Sequence, residues 1–520
     1  TGGSTDTPSG GNTGGSTDTP SGGNTGGSTD KPLGGDVIQP SDVSNSTSGS
    51  GSVTKQGEIK ISDVSGRTEA CFVEFDITKN ATYEVKYKKK TDSNYLTAIP
   101  KSNIDNAIGT NVAFMRLIDS DTARVDIFGL SKGDYDIQIV SGSNNSMCSV
   151  SVVSYDISGY AHFNYTNGVG AYNDDGTIKD NAIVLYVTDS NKNTIPLNYK
   201  NETVEGIGNI LNSVGEKKET GLTSNGGKPN SNSGIIRKLA LDNVPLVVRF
   251  VGTVSDSGLY KRGSFNVTNF LINGLTTYDS TDNGGTVGDN GHMARIKSGK
   301  DITLEGVGED AGSDGWGFHY MAESAYPNLG KNFEVRNLCF INTPEDAIGM
   351  EGVQVSANVN STLSASVEHC WIHNNEFYCP DVSNPAESDK AEGDGSVDFK
   401  RGQYFTCSYN YFEGCHKTNL VGSADSSLQY NLSYHHNYWK LCKARGPLAR
   451  NANIHMYNNV FEGQTDYCMN TRANAYIFSE FNLFYMCKNP QRVDSGAIKS
   501  YGDSFSSCIG SMTGTVVYDK

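Results

Sequence analysis

The sequence predicts an all-β chain in which a small β-sandwich precedes a long unit of stacked parallel coils. Three observations carry this. Gly, Ser, Thr, Asn and Tyr are abundant and only 19% of residues are charged, which suits strands and turns better than helix bundles. Short alternating apolar runs recur between residues 53 and 155. Beyond residue 156 one short polar and aromatic pattern keeps returning. A chain of 520 residues is also long enough for two or three units.

Residues 1–36 are three copies of a twelve-residue unit, TGGSTDTPSGGN twice and then TGGSTDKPLGGD. Such residues build no core, so residues 1–52 read as a flexible spacer. Spacers of this kind join modules, and the start at Thr1 without Met or leader is what an excised piece of a longer secreted chain would give. Further modules of a longer multimodular chain are therefore expected.

The runs Gly57–Ile61, Ala70–Ile77, Thr82–Tyr87, Ala123–Ile127 and Tyr135–Val140 define a unit over residues 53–155, with Ser131–Gly133 as a turn. Strands at this spacing resemble a fibronectin type III or immunoglobulin-like module. Carbohydrate binding and a spacer role both fit it. Cys71 and Cys148, near its two ends, can bridge it.

Residues 156–520 carry the returning pattern, in VRNLCF, VEHCWI, SYNYF, HHNYW, YNNVF and FNLF. Its aligned polar positions are Asn337, His369, Asn410, Asn437, Asn459 and Asn482, separated by 32, 41, 27, 22 and 23 residues. Each run reads as strand and turn, and the spacing is that of a β-helix coil. Equal positions then stack, so the Asn side chains form a ladder and aromatic columns fill the interior. Cys339, Cys407, Cys442 and Cys487 fall near one repeat position and suggest a stack of reduced thiols. The 41-residue step places a large loop at about residues 374–393.

No stretch approaches 18 consecutive apolar residues, so no membrane-spanning helix is expected. Taken alone, the net charge of −16 argues against a polyanionic partner such as nucleic acid or an acidic polysaccharide. Residues 399–472 run the other way, with eight Lys and Arg against four Asp and Glu. The eleven Cys include no CxxC pair, which argues against a zinc site.

If coils stack, Asp346, Asp394 and Asp398 converge on one face. Converging carboxylates need a cation, and hard oxygen ligands favour Ca2+. The plain alternative is three surface acids in turns. Lys417, Arg445, Arg450 and Arg472 follow at steps of 28, 5 and 22 residues, close to whole coils apart from the middle one, so the cations can line one groove beside the acids. His369, His416, His435 and His436 read as structural or substrate-side polar groups.

The stretch 394–461 resembles the polysaccharide lyase family 1 pectate lyases, through DGSVDFKRG, HKTNLVG, YHHNYW, ARGPLAR and HMYNNVF. PLVVRFVGT, ITLEGVG and GWGFH, upstream, are similar to the same family, so the likeness spans roughly residues 156–500. It implies a right-handed parallel β-helix that cleaves polygalacturonate by calcium-dependent β-elimination outside the cell, as a monomer. It further implies Arg445 as base, Arg450 as its support and Lys417 as the cation that stabilises the intermediate. Asp346, Asp394 and Asp398 match calcium ligands, and Lys400 and Arg472 match substrate-binding cations. One departure stands out: the family pattern has a further Asp two residues before the position of Asp346, where this chain has Pro344, with Glu345 as the nearest substitute.

The chemistry asks for these types. Removing the C5 proton of a galacturonate leaves a carbanion that a metal ion and a lysine ammonium stabilise. A guanidinium acts as base only where neighbouring cations disfavour its charged form, and alkaline conditions help. Three other readings remain open on the residues. Pectin lyase shares the fold and dispenses with calcium, which the retained acids oppose. Polygalacturonase needs a separate acid pair. A non-catalytic polysaccharide-binding β-helix has no use for the ARGPLAR motif together with Lys417.

Overall fold

A computed structural model of the chain describes residues 56–211, 234–255, 293–343, 346–356, 361–378 and 395–513. The spacer at residues 1–52 lies outside these, as do Pro344, Glu345 and Asp394.

Alternation in the first unit gives two five-stranded antiparallel sheets. Ala70–Asp76, Thr82–Lys89, Thr122–Phe128 and Gly133–Ser141 realise four of the five expected runs. The fifth, residues 57–61, is not one strand. Gln56–Gly57 pairs in one sheet and Ile61–Gly66 in the other, so the run is where the chain crosses between sheets. The inward residues of both sheets, among them Val73, Phe75, Val85, Val125 and Ile137, are fully buried in one core. Cys71 and Cys148 lie in that core, and no disulfide joins them. The bridge that their positions allow is not formed, and the core is apolar and closed without it.

From Ile183 onward the long strands pair in parallel. Eight of them, from Met293–Lys297 to Gln491–Val493, make one sheet in strict chain order. A second sheet of seventeen strands is two parallel ladders side by side. Gly402–Ser408 pairs with Gln429–His435, for example, and Tyr411–Glu413 with Tyr438–Lys440. Each regular coil thus gives one strand to the first sheet and two to the second, which is a right-handed parallel β-helix. The two strands of a coil meet at a left-handed residue. Asn337, Asn374, Tyr409, His436, Asn458 and Phe481 occupy this corner with φ between 51° and 57°. Among the described residues no helix is long and apolar enough to cross a membrane.

Three columns run down the coils. Asn375, Asn410, Asn437, Asn459 and Asn482 form the ladder, each Nδ2 donating to the Oδ1 of the next at 2.9–3.1 Å. The column ends on Asp503. Asn337 and His369 are not in it, which corrects the expected alignment. Asn337 holds the corner position, and His369 stacks between Tyr165 and Tyr404 on the outside. The true member, Asn375, precedes a buried aromatic by two residues, as do Asn410, Asn437, Asn459 and Asn482. Those aromatics, Phe377, Phe412, Trp439, Phe461 and Phe484, stack nearly parallel at 4.5–5.2 Å inside the helix.

The thiol column exists with other members. Cys415, Cys442, Cys487 and Cys508 each reach the carbonyl of the aromatic one coil back at 3.3–3.4 Å. Cys339 and Cys407 sit on strands elsewhere in the coil. Three residues past each stacked aromatic is the position that counts.

The segment after the sandwich forms a strap over the coils. Tyr155 bonds Asn337, Ser158 meets His435 and Tyr457, the Tyr160 and Ala161 N–H groups donate to the coil hydroxyls of Ser433 and Thr406, and the Ala171 N–H donates to Thr303 Oγ1. At Gly159 (φ 103°) a Cβ would lie 2.6 Å from Ser433 Oγ and 2.7 Å from Thr406 Oγ1, so only glycine lets the strap lie this close.

The sandwich and the coils share a buried ionic seam. Arg249 pairs with Glu305 at 2.6 Å and donates to the Asn111 carbonyl of the sandwich. Arg336 pairs with Glu305, Glu334 and the sandwich's Glu69.

Candidate active site

The eight-stranded sheet carries the predicted cluster on successive coils. Asp346 precedes Ile348–Glu351, while Asp398 and Lys400 lie in Val397–Lys400. Lys417 precedes Leu420–Val421, Arg445 precedes and Arg450 ends Leu448–Arg450, and Arg472 ends Met469–Arg472. In register, Glu351 stands beside Lys400 and Arg450 beside Arg472. Lys417 bridges to Gly395 on one side and to Ala444, next to Arg445, on the other. The cluster therefore grades from acidic to basic along the coil axis.

At the acidic end Lys400 Nζ lies 3.0 Å from Asp346 Oδ2 and 3.3 Å from Asp398 Oδ2. Asp346 Oδ1 accepts the Gly395 N–H and Asp398 Oδ1 the Leu420 N–H. Burial would raise the Asp346 carboxyl, but Lys400 and then His319 outweigh it and hold it below the usual range. The same acids hold the buried Lys400 ammonium well above its ordinary value, against burial. Two carboxylate oxygens overhang Gly395: a Cβ there would meet Asp398 Oδ1 at 2.2 Å and Asp346 Oδ1 at 2.9 Å.

Glu351 completes this end. It contacts Arg401, and its Oε2 lies 3.4 Å from His319 Nε2. Burial raises its carboxyl, yet His319, Lys400 and Arg401 bring it down to about 2.

At the basic end Arg445 takes a left-handed backbone (φ 66°). Its charge faces Tyr467, whose phenol burial pushes up and Arg445 opposes. Arg450 donates to the Gly422 carbonyl at 3.0 Å and faces Asp425 at 3.2 Å. Burial lowers its guanidinium, and the Arg472 and Arg445 charges add to that against Asp425. Arg472 is exposed, with Asp494 at 3.8 Å.

The structure thus gathers Asp346, Asp398, Lys400, Lys417, Arg445, Arg450 and Arg472 on one sheet. Asp394 falls outside the described residues. Sequence reasoning missed Glu351, His319 and Tyr467. For Glu351 the signal was the register of its strand against Lys400; for Tyr467 it was a lone aromatic one coil beyond Arg445.

A family model described as "Pectate lyase" matches residues 294–520, which includes every residue of this cluster. Residues 294–520 of the chain are therefore similar to pectate lyases. Among its relatives, pectate lyase 2 of Pectobacterium carotovorum is 30% identical over 161 residues, 31% of this chain and 41% of that protein. Pectate lyase B of Dickeya chrysanthemi is 35% identical over 126 residues, 23% and 33% of the two chains. The pectate trisaccharide-lyase of Bacillus licheniformis is 36% identical over 149 residues, 28% and 38%. The chain spans a third to two fifths of the length of these curated relatives. Among solved structures, pectate lyase Bsp165PelA from Bacillus sp. N165 in complex with trigalacturonate is 21% identical, covering 70% of this chain and 92% of that one at a TM-score of 0.43.

Proposed function

We propose that the chain is a secreted pectate lyase that cleaves α-1,4-linked polygalacturonate by calcium-dependent β-elimination, releasing unsaturated oligogalacturonides. The observation that carries this reading is the grading of one β-helix sheet from paired carboxylates to a row of cations, within the stretch that matches the pectate lyase family model.

Asp346, Asp394 and Asp398 are the residues we assign to Ca2+. The described donors are carboxylate oxygens that overhang Gly395, a set that suits a hard divalent ion. When bound, Ca2+ would neutralise the galacturonate carboxylate and acidify C5. Lys400 and Arg472 hold the acidic chain. Arg445 takes the C5 proton, the C4=C5 bond forms, and the C4–O bond to the leaving sugar breaks. Lys417, buried between the acidic and basic coils, places an ammonium against the charge that develops on the carboxylate. Arg450 supports Arg445 by keeping a second guanidinium in the field.

The test is product absorbance in the ultraviolet on polygalacturonate, with calcium and with chelator, alongside de-esterified and highly methylated pectin. Absorbance that rises only with calcium and only on de-esterified substrate is expected. Undiminished activity in chelator, or preference for methylated pectin, overturns the reading. Arg445→Lys should lose at least about a hundredfold in kcat; near-normal turnover would remove Arg445 as base.

A further inference from the structure

A second group of chemistry-bearing side chains lies away from this sheet. Asp156, on the strap, and His435 and His436, at the coil corner, place a carboxylate oxygen and two ring nitrogens within 4.8 Å of one another. Neighbours in a strand point to opposite faces, but His436 has φ 55°. That corner turns its ring toward His435, and the two Nδ1 atoms face each other at 3.0 Å.

The partners of these groups are those of metal ligands. His435 Nε2 lies 3.1 Å from the Ser158 carbonyl, which only accepts, so Nε2 carries the proton and Nδ1 presents a lone pair. A ligating histidine is oriented in this way, with its far N–H on a carbonyl. Burial also keeps both rings below the usual histidine range, so neutral imidazole is the form on offer. Asp156 is held likewise: Tyr409 Oη donates to Oδ2 at 3.0 Å and the Ser158 N–H to Oδ1 at 3.0 Å. Asp156 is exposed, which leaves a side open for solvent as a fourth ligand.

We propose that Asp156, His435 and His436 bind one divalent transition-metal ion of the zinc class, clamping the strap to the coil stack. Two imidazoles and one carboxylate with an open fourth position suit Zn2+, and nitrogen donors disfavour Ca2+. The site is separate from the proposed calcium site, which lies on the other sheet and uses oxygen alone. Its role is mechanical. Asp156 enters from the strap and the two histidines from one coil, so the ion would join segments 279 residues apart in sequence, counted from Asp156 to His435.

The experiment uses the untagged whole chain, stripped with a chelator and titrated by calorimetry with Zn2+ in excess Ca2+. One tight equivalent is expected, and Co2+ in its place should give the visible spectrum of a four-coordinate ion. Asp156→Asn and His436→Gln should each weaken Zn2+ at least about tenfold while the metal-free melting temperature stays near that of the parent. Zn2+ should slow proteolysis of the strap in the parent and not in the variants. Asp156 is exposed, so its variant is expected to fold and keeps the test decisive even if His436→Gln does not. Absence of a tight equivalent, full competition by Ca2+, or equal affinity in Asp156→Asn would overturn the proposal.

Discussion

Lys400 stands where a cation is wanted, with its ammonium 3.0 and 3.3 Å from Asp346 and Asp398. A charge that close opposes a metal ion on the same oxygens and also offers itself to a substrate carboxylate. Lys400→Met should therefore tighten Ca2+ roughly tenfold or more in the absence of substrate, while raising KM; calcium titration and steady-state kinetics read the two effects separately. Gly395 makes the complementary case. The atoms a Cβ would strike are the ends of two Asp side chains rather than backbone, so in Gly395→Ala the coil holds and the carboxylates give way. Activity at limiting calcium should fall about tenfold or more with little change in melting temperature. Most of these positions were legible as motifs: DGSVDFKRG, HKTNLVG and ARGPLAR carried Asp398, Lys400, Lys417, Arg445 and Arg450. Glu351 and Tyr467 were not, because their neighbours come from adjacent coils and only register brings them in.

At the scale of a coil, spacing was informative and alignment less so. The steps of 27, 22 and 23 residues from Asn410 to Asn482 are the real ladder steps. The pattern failed upstream because it was matched on the strand Val367–His373 instead of on the corner that follows it. HNNEF at 373–377 has the same frame as HHNYW at 435–439, and the Asn two places before the aromatic is the reliable mark. The reason is packing: the aromatic stacks inward and the Asn bonds the next corner, so these two cannot slip independently. In Asn459→Ala, the Asn437 N–H and Nδ2 would both lose their 3.0 Å acceptor in a buried column. A loss of about 2–4 kcal/mol in urea unfolding is expected. Cys339 and Cys407 illustrate the same lesson, since proximity in a repeat is not equivalence within it.

The whole molecule is joined by a seam whose acids outnumber its arginines. Arg249 and Arg336 face Glu305, Glu334 and Glu69. Glu69 is the member left short: burial raises its carboxyl to about 7, against Arg336 and with help from Glu334. Its folded value lies above the unfolded one, so the native state keeps a proton that the unfolded chain releases. Stability from this group is therefore full below about pH 4.5 and is lost as pH rises toward 7, by on the order of 3 kcal/mol. Glu69→Gln should flatten that slope in melting temperatures taken across the window. The two units were legible in the sequence from alternation and from the coil repeat. Their seam was not, because its partners are separated by as many as 267 residues and each looks like an ordinary charge alone.

The strap changes what kind of object the coil stack is. A solenoid held only by nearest neighbours melts like a zipper, fraying coil by coil from its ends. Here a segment that leaves the sandwich runs out to Tyr457 and returns to Thr303, stitching coils that are far apart in the chain. Those coils open together or not at all, and forming them requires closing very long loops, which slows folding. Amide hydrogen exchange should accordingly show one slow cooperative block from about Thr303 to Tyr457. The coils beyond it should show graded, faster exchange toward residue 513.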